Sequence, residues 1–380
     1  MQYFRSSFYH IRWGVAMGII RDTYRYFSWR VWLLSILIFT LYGIHHIISV
    51  FFRVLDEIFH RNYKKQTIRQ PVFIIASPRS GTTYLHRLMA MDDERFVYTK
   101  NAHTFFMTAS FVQFYNLWKW IDRHLLFGAI KKFIAWLDKV FWGGWDDIHP
   151  MGFNKAEEDE LVFAQQMLSP GVYIPFPFFH LNNASRFLDN EPPLIRQRAM
   201  EFYESCVKRF VFRAGKNKTY LAKNVMSTGR YKSLLQKFPD AKIIYIARHP
   251  YQAVPSMASM FTIMYGKKVP QDSAARKEWI RYGINFFKYS SDMRKNIASS
   301  QFYMLKYDDL LENPEESTLK IYNHFGWNVA EKFAERLRKE HVRSKNYKST
   351  HEYSLEEFGY SKEQVYNELS EVMNELGFKK

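Results

Sequence analysis

Residues 71–87 read PVFIIASPRSGTTYLHR, and this stretch predicts a strand, a tight turn and a helix. The apolar run from Val72 to Ile75 predicts a buried strand, and a helical pattern follows the glycine-containing turn. Such a turn brings backbone N–H groups together at a helix N-terminus, where the helix dipole favours negative charge. Arg79 adds a positive charge, and Thr82 and Thr83 add hydroxyl donors. The stretch therefore predicts a site for a phosphate-like group.

The turn does not match the loop that binds nucleoside triphosphates. That loop reads G-x-x-x-x-G-K-[ST], and here its first glycine is missing while Thr82 stands at the lysine position. The basic residue instead precedes Gly81, as Arg79. A nucleotide kinase is therefore disfavoured, and a different phosphate-bearing ligand is expected.

A second segment, residues 242–256, reads KIIYIARHPYQAVPS. Lys242 to Ala247 predicts a buried strand, which Pro250 breaks before a helix follows. Arg248 lies at the end of this strand, and Ser256 lies eight residues further on, within the helix. This spacing can bring a guanidinium group and a hydroxyl group onto one anion. The chain thus predicts two groups of anion-binding residues.

Together these segments resemble the 5′-phosphosulfate loop and the 3′-phosphate site of sulfotransferases, which use 3′-phosphoadenosine-5′-phosphosulfate (PAPS). The sequence YLAKN at 220–224 resembles the central strand of that family. The resemblance implies that Lys223 contacts the group that is transferred. The resemblance implies that the donor is held by Arg79, Ser80, Gly81, Thr82, Thr83, Arg248 and Ser256.

Three further motifs extend the resemblance over roughly residues 71–360. LKYDDLLENP at 305–314 is similar to a strand-and-turn motif of the family. HEYSLEEFG at 351–359 and the acidic EEDE at 157–160 are similar to segments of its large bacterial branch.

Strands that alternate with helices predict the α/β class, with a P-loop-like central parallel sheet flanked by helices. The strands are expected at 72–77, 219–223, 242–247 and 302–306. The ligand should then lie outside the carboxyl ends of the strands, where Arg79, Lys223 and Arg248 fall. An aromatic-rich helical cap and an N-terminal hydrophobic helix complete the expected fold.

The N-terminal segment is expected to meet a membrane. Residues 31–52 carry no Asp, Glu, Lys or Arg, and they are long enough to span a hydrocarbon core. Their two histidines and other polar residues equally suit a helix that lies on the membrane, and both alternatives stay open. We expect a membrane-associated segment at 1–70 and a sulfotransferase domain at 71–380.

A helical insertion on the acceptor side is expected at about 104–213. Residues 104–145 contain 13 Phe, Tyr and Trp residues, interrupted by basic side chains. Helical spacing of the apolar residues fits core helices, and Trp beside Lys also suits an apolar acceptor pocket or a membrane interface. We interpret the segment as a cap over the acceptor.

The composition indicates which classes of partner and which compartment to expect. The formal net charge of +17 indicates an anionic partner, and no nucleic-acid-binding motif accompanies it, so an anionic membrane surface and an anionic cofactor are expected. Cys206 is the single cysteine, which excludes a disulfide within the chain and fits a reducing compartment. We expect a membrane-associated enzyme whose catalytic domain is cytoplasmic; a single-pass enzyme of the Golgi lumen is the alternative.

The resemblance also implies the chemistry. An acceptor hydroxyl attacks sulfur in line, and adenosine 3′,5′-bisphosphate leaves as the bond between sulfur and the 5′-phosphate breaks. Positioned charges stabilise a loose transition state without a metal. A general base must take the hydroxyl proton. Cytosolic sulfotransferases carry a histidine two positions after the strand lysine, but this chain has Val225 there. The remaining candidates are His103, His149 and the acidic residues Glu157, Glu158 and Glu160, and we rank His103 first, then Glu160 and His149.

We therefore expect transfer of a sulfuryl group from PAPS to a hydroxyl of an apolar acceptor, a sterol, steroid or lipid alcohol, at or near a membrane. A carbohydrate or glycolipid acceptor is the alternative. A nucleotide kinase-like protein and a non-catalytic membrane adaptor are further alternatives.

Overall fold

The computed structural model describes residues 6–26, 29–142, 152–169, 187–265, 274–344 and 354–380. The predicted base His149 and the start of the motif at 351–359 lie outside the described residues.

Helices and short strands alternate along the chain. In chain order the elements are α1 (Trp13–Tyr26), α2 (Trp29–Phe59), β1 (Val72–Ala76), α3 (Thr82–Met89), β2 (Phe96–Tyr98), α4 (Asn101–Phe105), α5 (Ala109–His124), α6 (Ala129–Trp142), α7 (Glu160–Ala164), α8 (Pro193–Ala214), β3 (Thr219–Lys223), α9 (Tyr231–Lys237), β4 (Lys242–Ala247), α10 (Pro250–Tyr265), α11 (Ala274–Asn296), β5 (Phe302–Lys306), α12 (Tyr307–Glu312), α13 (Pro314–His324), α14 (Glu331–Ser344) and α15 (Lys362–Glu375).

The described strands form one parallel sheet in the order β2-β3-β1-β4-β5. β1 pairs with β4, so that Ile74 lies opposite Ile244, and Ile244 in turn lies opposite Tyr303 of β5. Every residue of β1 is buried, as expected for a strand covered on both faces. The α/β class with a parallel sheet flanked by helices is therefore confirmed.

One strand departs from the prediction. Phe96–Tyr98 forms β2, where no strand was predicted. Three residues are too few to establish an alternating pattern, and pairing rather than local sequence makes this segment a strand. Val97 lies opposite Tyr220 in the parallel ladder with β3.

The chain divides into two compact units. The first comprises Met1–Pro71, Glu94–Ala222 and Lys232–Pro239, and the second comprises Val72–Asp93, Lys223–Tyr231 and Asp240–Lys380. The described part of the predicted insertion at 104–213 lies in the first unit and contains the helices α5 to α8.

The helix α2 extends beyond the predicted hydrophobic segment, which ended at Phe52. By length and composition alone, Trp32–Phe59 is suited to cross a membrane, which is consistent with an anchor. Arg53 and Asp56 do not end the helix, because both side chains are buried within the first unit. Arg53 Nη1 donates to the carbonyl oxygen of Phe8 at 3.0 Å.

Asp56 connects α2 to two other helices of the first unit. Its carboxylate accepts hydrogen bonds from the backbone N–H groups of Ala109 (3.1 Å) and Ser110 (2.7 Å), which begin α5. It also lies 3.0 Å from Nη1 of Arg209 in α8, and both side chains are fully buried. The negative charge thus meets a helix N-terminus and a guanidinium group, which offsets its desolvation.

We predict that Asp56→Ala lowers the free energy of unfolding by about 3 kcal/mol or more, because Arg209 would keep a buried charge with one partner fewer. Urea unfolding followed by circular dichroism measures the change. The matched control is Glu368→Ala, which removes the exposed partner of Lys288 and should cost less than about 1 kcal/mol. Equal losses in the two variants would contradict the buried role of Asp56.

Candidate active site

The turn between β1 and α3 forms the centre of the site. Arg79 and Gly81 both adopt left-handed backbone conformations, with φ of 68° and 79°. Gly81 is also the N-cap of α3, and a glycine offers no side chain to the first-turn N–H groups. These groups are therefore suited to an anion, which the positive end of the helix dipole also favours.

Glycine is required at position 81 for a second reason. A Cβ atom placed there would lie 2.7 Å from Cε2 of Tyr307, the first residue of α12. The Tyr307 ring thus packs directly on the turn. Its face also receives the guanidinium group of Arg248, whose Cζ lies 4.5 Å from the ring centroid.

Ser80 provides evidence that the turn is built for a ligand. Its side chain is fully buried, and its Oγ has no hydrogen-bond partner among the described residues. An unsatisfied buried hydroxyl costs about 1–3 kcal/mol. An anionic oxygen held in the turn would accept its hydrogen bond, so the residues present fit the phosphosulfate group that the sequence implies.

Lys223 enters the same turn from the end of β3. Its side chain is fully buried, and its Nζ donates to Oγ1 of Thr83 at 3.0 Å. The segment that follows is fixed to β1, because the N–H of Asn224 donates to the carbonyl of Ile74 at 3.1 Å. Lys223 is therefore a positioned cation rather than a mobile one.

Arg248 and Ser256 also meet the turn. Nη1 of Arg248 donates to the carbonyl oxygen of Arg79 at 2.6 Å. Nε of Arg79 in turn donates to Oγ of Ser256 at 3.3 Å. Arg79 thus joins the two groups of residues that the sequence assigned to the 5′ and 3′ ends of one donor.

The second unit therefore contains all of the predicted donor-site residues, at the carboxyl ends of β1, β3 and β4. Tyr307 is the residue that sequence reasoning missed as part of the site. Its motif at 305–314 was recognised, but nothing in the sequence indicates that its ring covers Gly81 and Arg248.

His103 lies in the first unit, in α4, and it is buried. Burial, followed by the charges of Lys100 and Lys119, lowers the pKa of His103 to about 3. Its Nδ1 accepts a hydrogen bond from the backbone N–H of Lys100 at 3.4 Å. The neutral ring then carries its proton on Nε2, so this tautomer donates at Nε2 rather than accepting there.

Glu160 also lies in the first unit, where it begins α7 and is half-buried. The neighbouring Asp159 is buried and accepts hydrogen bonds from the hydroxyl groups of Tyr203 and Tyr220. These contacts fix the acidic segment to α8 and β3. Asp159 therefore serves a structural role, and Glu157 is also buried, whereas Glu158 and Glu160 are half-exposed.

Within the described residues, no three His, Cys, Asp or Glu side chains form a group that could hold a metal ion. The expectation of a metal-free site stays a prediction.

Comparison with known proteins places this arrangement in a family. Residues 71–331 match the Sulfotransferase family. The omega-hydroxy-beta-dihydromenaquinone-9 sulfotransferase Stf3 of Mycobacterium bovis is 26% identical, over 89% of this chain and 90% of that protein. The fold resembles the crystal structure of sulfotransferase STF9 from Mycobacterium avium, with a TM-score of 0.70, 14% identity, and 86% of this chain and 82% of that one covered.

The crystal structure of sulfotransferase STF1 from Mycobacterium tuberculosis is also similar, with a TM-score of 0.65 and 18% identity over 94% of this chain and 91% of that one. The match over residues 71–331 covers more than half of the chain. The chain therefore belongs to the sulfotransferase family, as the motifs predicted, and it is a transferase enzyme.

We predict that Gly81→Ala destabilises the protein more than Gly326→Ala does. Both glycines have positive φ, 79° and 66°, so both variants bear the cost of about 1–2 kcal/mol for a left-handed alanine. At Gly81 the new methyl group would also clash with Tyr307, whereas no atom lies within 4 Å at Gly326. Thermal unfolding of the two variants measures the difference, and equal melting temperatures would contradict the packing of Tyr307 on the turn.

Proposed function

We propose that this enzyme uses PAPS as its sulfuryl donor. The observation that carries the proposal is the convergence of Arg79, Ser80, Lys223, Arg248 and Ser256 on one turn whose backbone is suited to an anion. PAPS, when bound, supplies the sulfuryl group that is transferred. PAPS is negatively charged at its 5′-phosphosulfate and at its 3′-phosphate, so each of these ends needs its own positive groups. The second unit contains both sets of positive groups.

Each donor-site residue has a role that its position supports. The N–H groups at the start of α3 and the Ser80 hydroxyl bind the 5′-phosphosulfate end. Arg248 and Ser256 bind the 3′-phosphate. Lys223, fixed by Thr83, stabilises the charge that develops at the reacting centre. Arg79 orients both ends, because it contacts Arg248 and Ser256 together.

The general base is proposed to be Glu160 rather than His103. A histidine with a pKa of about 3 has little driving force for proton removal near neutral pH. Its buried Nε2 also carries the proton in the tautomer that Lys100 selects. Glu160 is a carboxylate of the first unit, half-exposed where α7 begins.

The acceptor is proposed to be the hydroxyl of an apolar, membrane-soluble molecule, and a long-chain lipid alcohol in particular. Two observations support this class. The helices of the predicted insertion carry many aromatic and aliphatic side chains. The relative from Mycobacterium bovis is named for a hydroxylated menaquinone, an apolar molecule. The proposal keeps residues 1–70 as a membrane-associated segment, since the family match begins at residue 71.

Incubation of the purified enzyme with radiolabelled PAPS tests this function, with lipid alcohols, sterols and sugars as acceptors and the products identified by mass. We expect label in the lipid alcohols. Lys223→Ala should lower turnover more than about a hundredfold, because a buried charge at the reacting centre is lost. Glu160→Gln should lower turnover by about 10²-fold or more, and His103→Gln by much less.

The matched control is Lys339→Ala, which removes an exposed lysine of α14 and should leave turnover unchanged. Label found in sugars but not in lipids would overturn the acceptor class. Full activity in Lys223→Ala would overturn the role of the donor site.

A further inference from the structure

The helix α2 turns its polar side toward the protein and its apolar side outward, which is the reverse of an ordinary surface helix. Its polar side faces inward, where Ser35, Ser49 and Asp56 are buried. Its apolar side is exposed over the whole length of the helix, from Leu33 to Phe59, and Leu37 is 54% exposed. A soluble protein normally buries the apolar stripe of a helix against its core. The exposed stripe therefore needs an apolar environment outside the chain.

The contacts of α2 argue against a transmembrane orientation. Tyr42 donates to the carbonyl oxygen of Gln165 at 2.9 Å, and His45 donates to that of Phe105 at 2.9 Å. From Tyr42 onward the helix is thus tied to the first unit, and only residues 32–41 of the apolar stretch precede this point. Ten residues rise about 15 Å, which is half of a hydrocarbon core of about 30 Å.

The hairpin of α5 and α6 presents a second exposed apolar region in the same unit. Its turn reads Leu125-Leu126-Phe127, and Phe127 is 89% exposed with a left-handed φ of 49°. Hydrogen bonds fix the turn, because the Asp122 carboxylate accepts them from the N–H groups of Ile130 (2.7 Å) and Lys131 (3.0 Å). An ordered turn that exposes three large apolar side chains is costly in water.

Aromatic contacts connect the two regions. The ring of Phe52 in α2 lies 5.3 Å from that of Phe111 and 5.9 Å from that of Phe114, both in α5. Phe114 in turn contacts Trp118 at 5.9 Å, and Trp118 is exposed. We call the exposed apolar side chains of residues 33–59 and 114–140 the apolar face.

The exposed charges of the α5–α6 hairpin have one sign. Arg123, Lys131, Lys132 and Lys139 of the hairpin are all exposed. Its two acidic residues are turned toward backbone groups: Asp122 holds the start of α6, and Asp138 accepts the N–H of Phe153 at 2.9 Å. Exposed Trp and Leu beside Lys and Arg are typical of helices that lie in the interface of an anionic bilayer.

We propose that the apolar face is a membrane-docking surface that enters one leaflet of a bilayer containing anionic phospholipid. The α5–α6 turn and the outer side of α2 insert among the acyl chains, and the lysines and arginines of the hairpin meet the phosphate groups. The helix α2 does not cross the membrane, because its polar side is held by the protein. This attachment does not depend on the identity of the donor or the acceptor.

Flotation of the full-length protein with vesicles tests the proposal. We expect binding to vesicles of phosphatidylcholine with phosphatidylglycerol, and weaker, less salt-sensitive binding to phosphatidylcholine alone. Phe127→Asp keeps a residue that tolerates positive φ and should weaken partitioning by about tenfold or more. Lys131→Glu with Lys132→Glu should remove the preference for anionic vesicles.

The matched controls are Val342→Asp, at an apolar residue of α14 that is 67% exposed, and Lys339→Glu in the same helix. Both should float like the wild type. Circular dichroism confirms that each variant is folded. Undiminished flotation of Phe127→Asp would overturn the proposal, and so would a self-associated protein that binds no vesicles, since a second copy would then cover the face.

The positions of the two chain ends relative to the membrane distinguish a docked protein from one in which α2 spans the bilayer. Epitope tags at the two ends of the chain are digested by protease in sealed, inside-out membrane vesicles. A docked protein has both tags on one side, so both are cleaved or both are protected. Cleavage of one tag with protection of the other would show that α2 crosses the bilayer and would overturn the proposal.

Discussion

The donor site depends on one backbone constraint, the left-handed conformation of Gly81 at the start of α3. Because residue 81 lacks a side chain, the ring of Tyr307 packs on the turn and supports the guanidinium group of Arg248. Arg248 then holds the carbonyl of Arg79, and Arg79 reaches Ser256. The positions of the cations thus follow from the shape of the turn, and the positive groups are oriented before any ligand arrives.

The first unit is organised around a different constraint, the burial of charge on α2. Asp56 and Arg209 are withdrawn from water together, and the partners of Asp56 include the first N–H groups of α5. This arrangement forces the polar side of α2 inward and leaves its apolar side outward. The same buried acid therefore stabilises the unit and determines which side of α2 stays exposed.

Much of the fold, and the grouping of residues at the candidate site, could be predicted because it is encoded locally. The apolar runs that become β1 and β4, and the residues that follow each run, are visible in the sequence. The three-residue strand β2 was not, since pairing with β3 defines it. The end of α2 was missed because Arg53 and Asp56 find buried partners far along the chain, and the place of Tyr307 on Gly81 is likewise a long-range contact.

Calorimetric titration with adenosine 3′,5′-bisphosphate and with ATP tests whether the turn at Gly81 and the pair Arg248 and Ser256 together recognise a 3′-phosphorylated adenosine nucleotide. We predict that the bisphosphate binds more tightly than ATP, because ATP has no 3′-phosphate for Arg248, and that Arg248→Ala removes most of this preference. Equal affinities, or tighter binding of ATP, would contradict it.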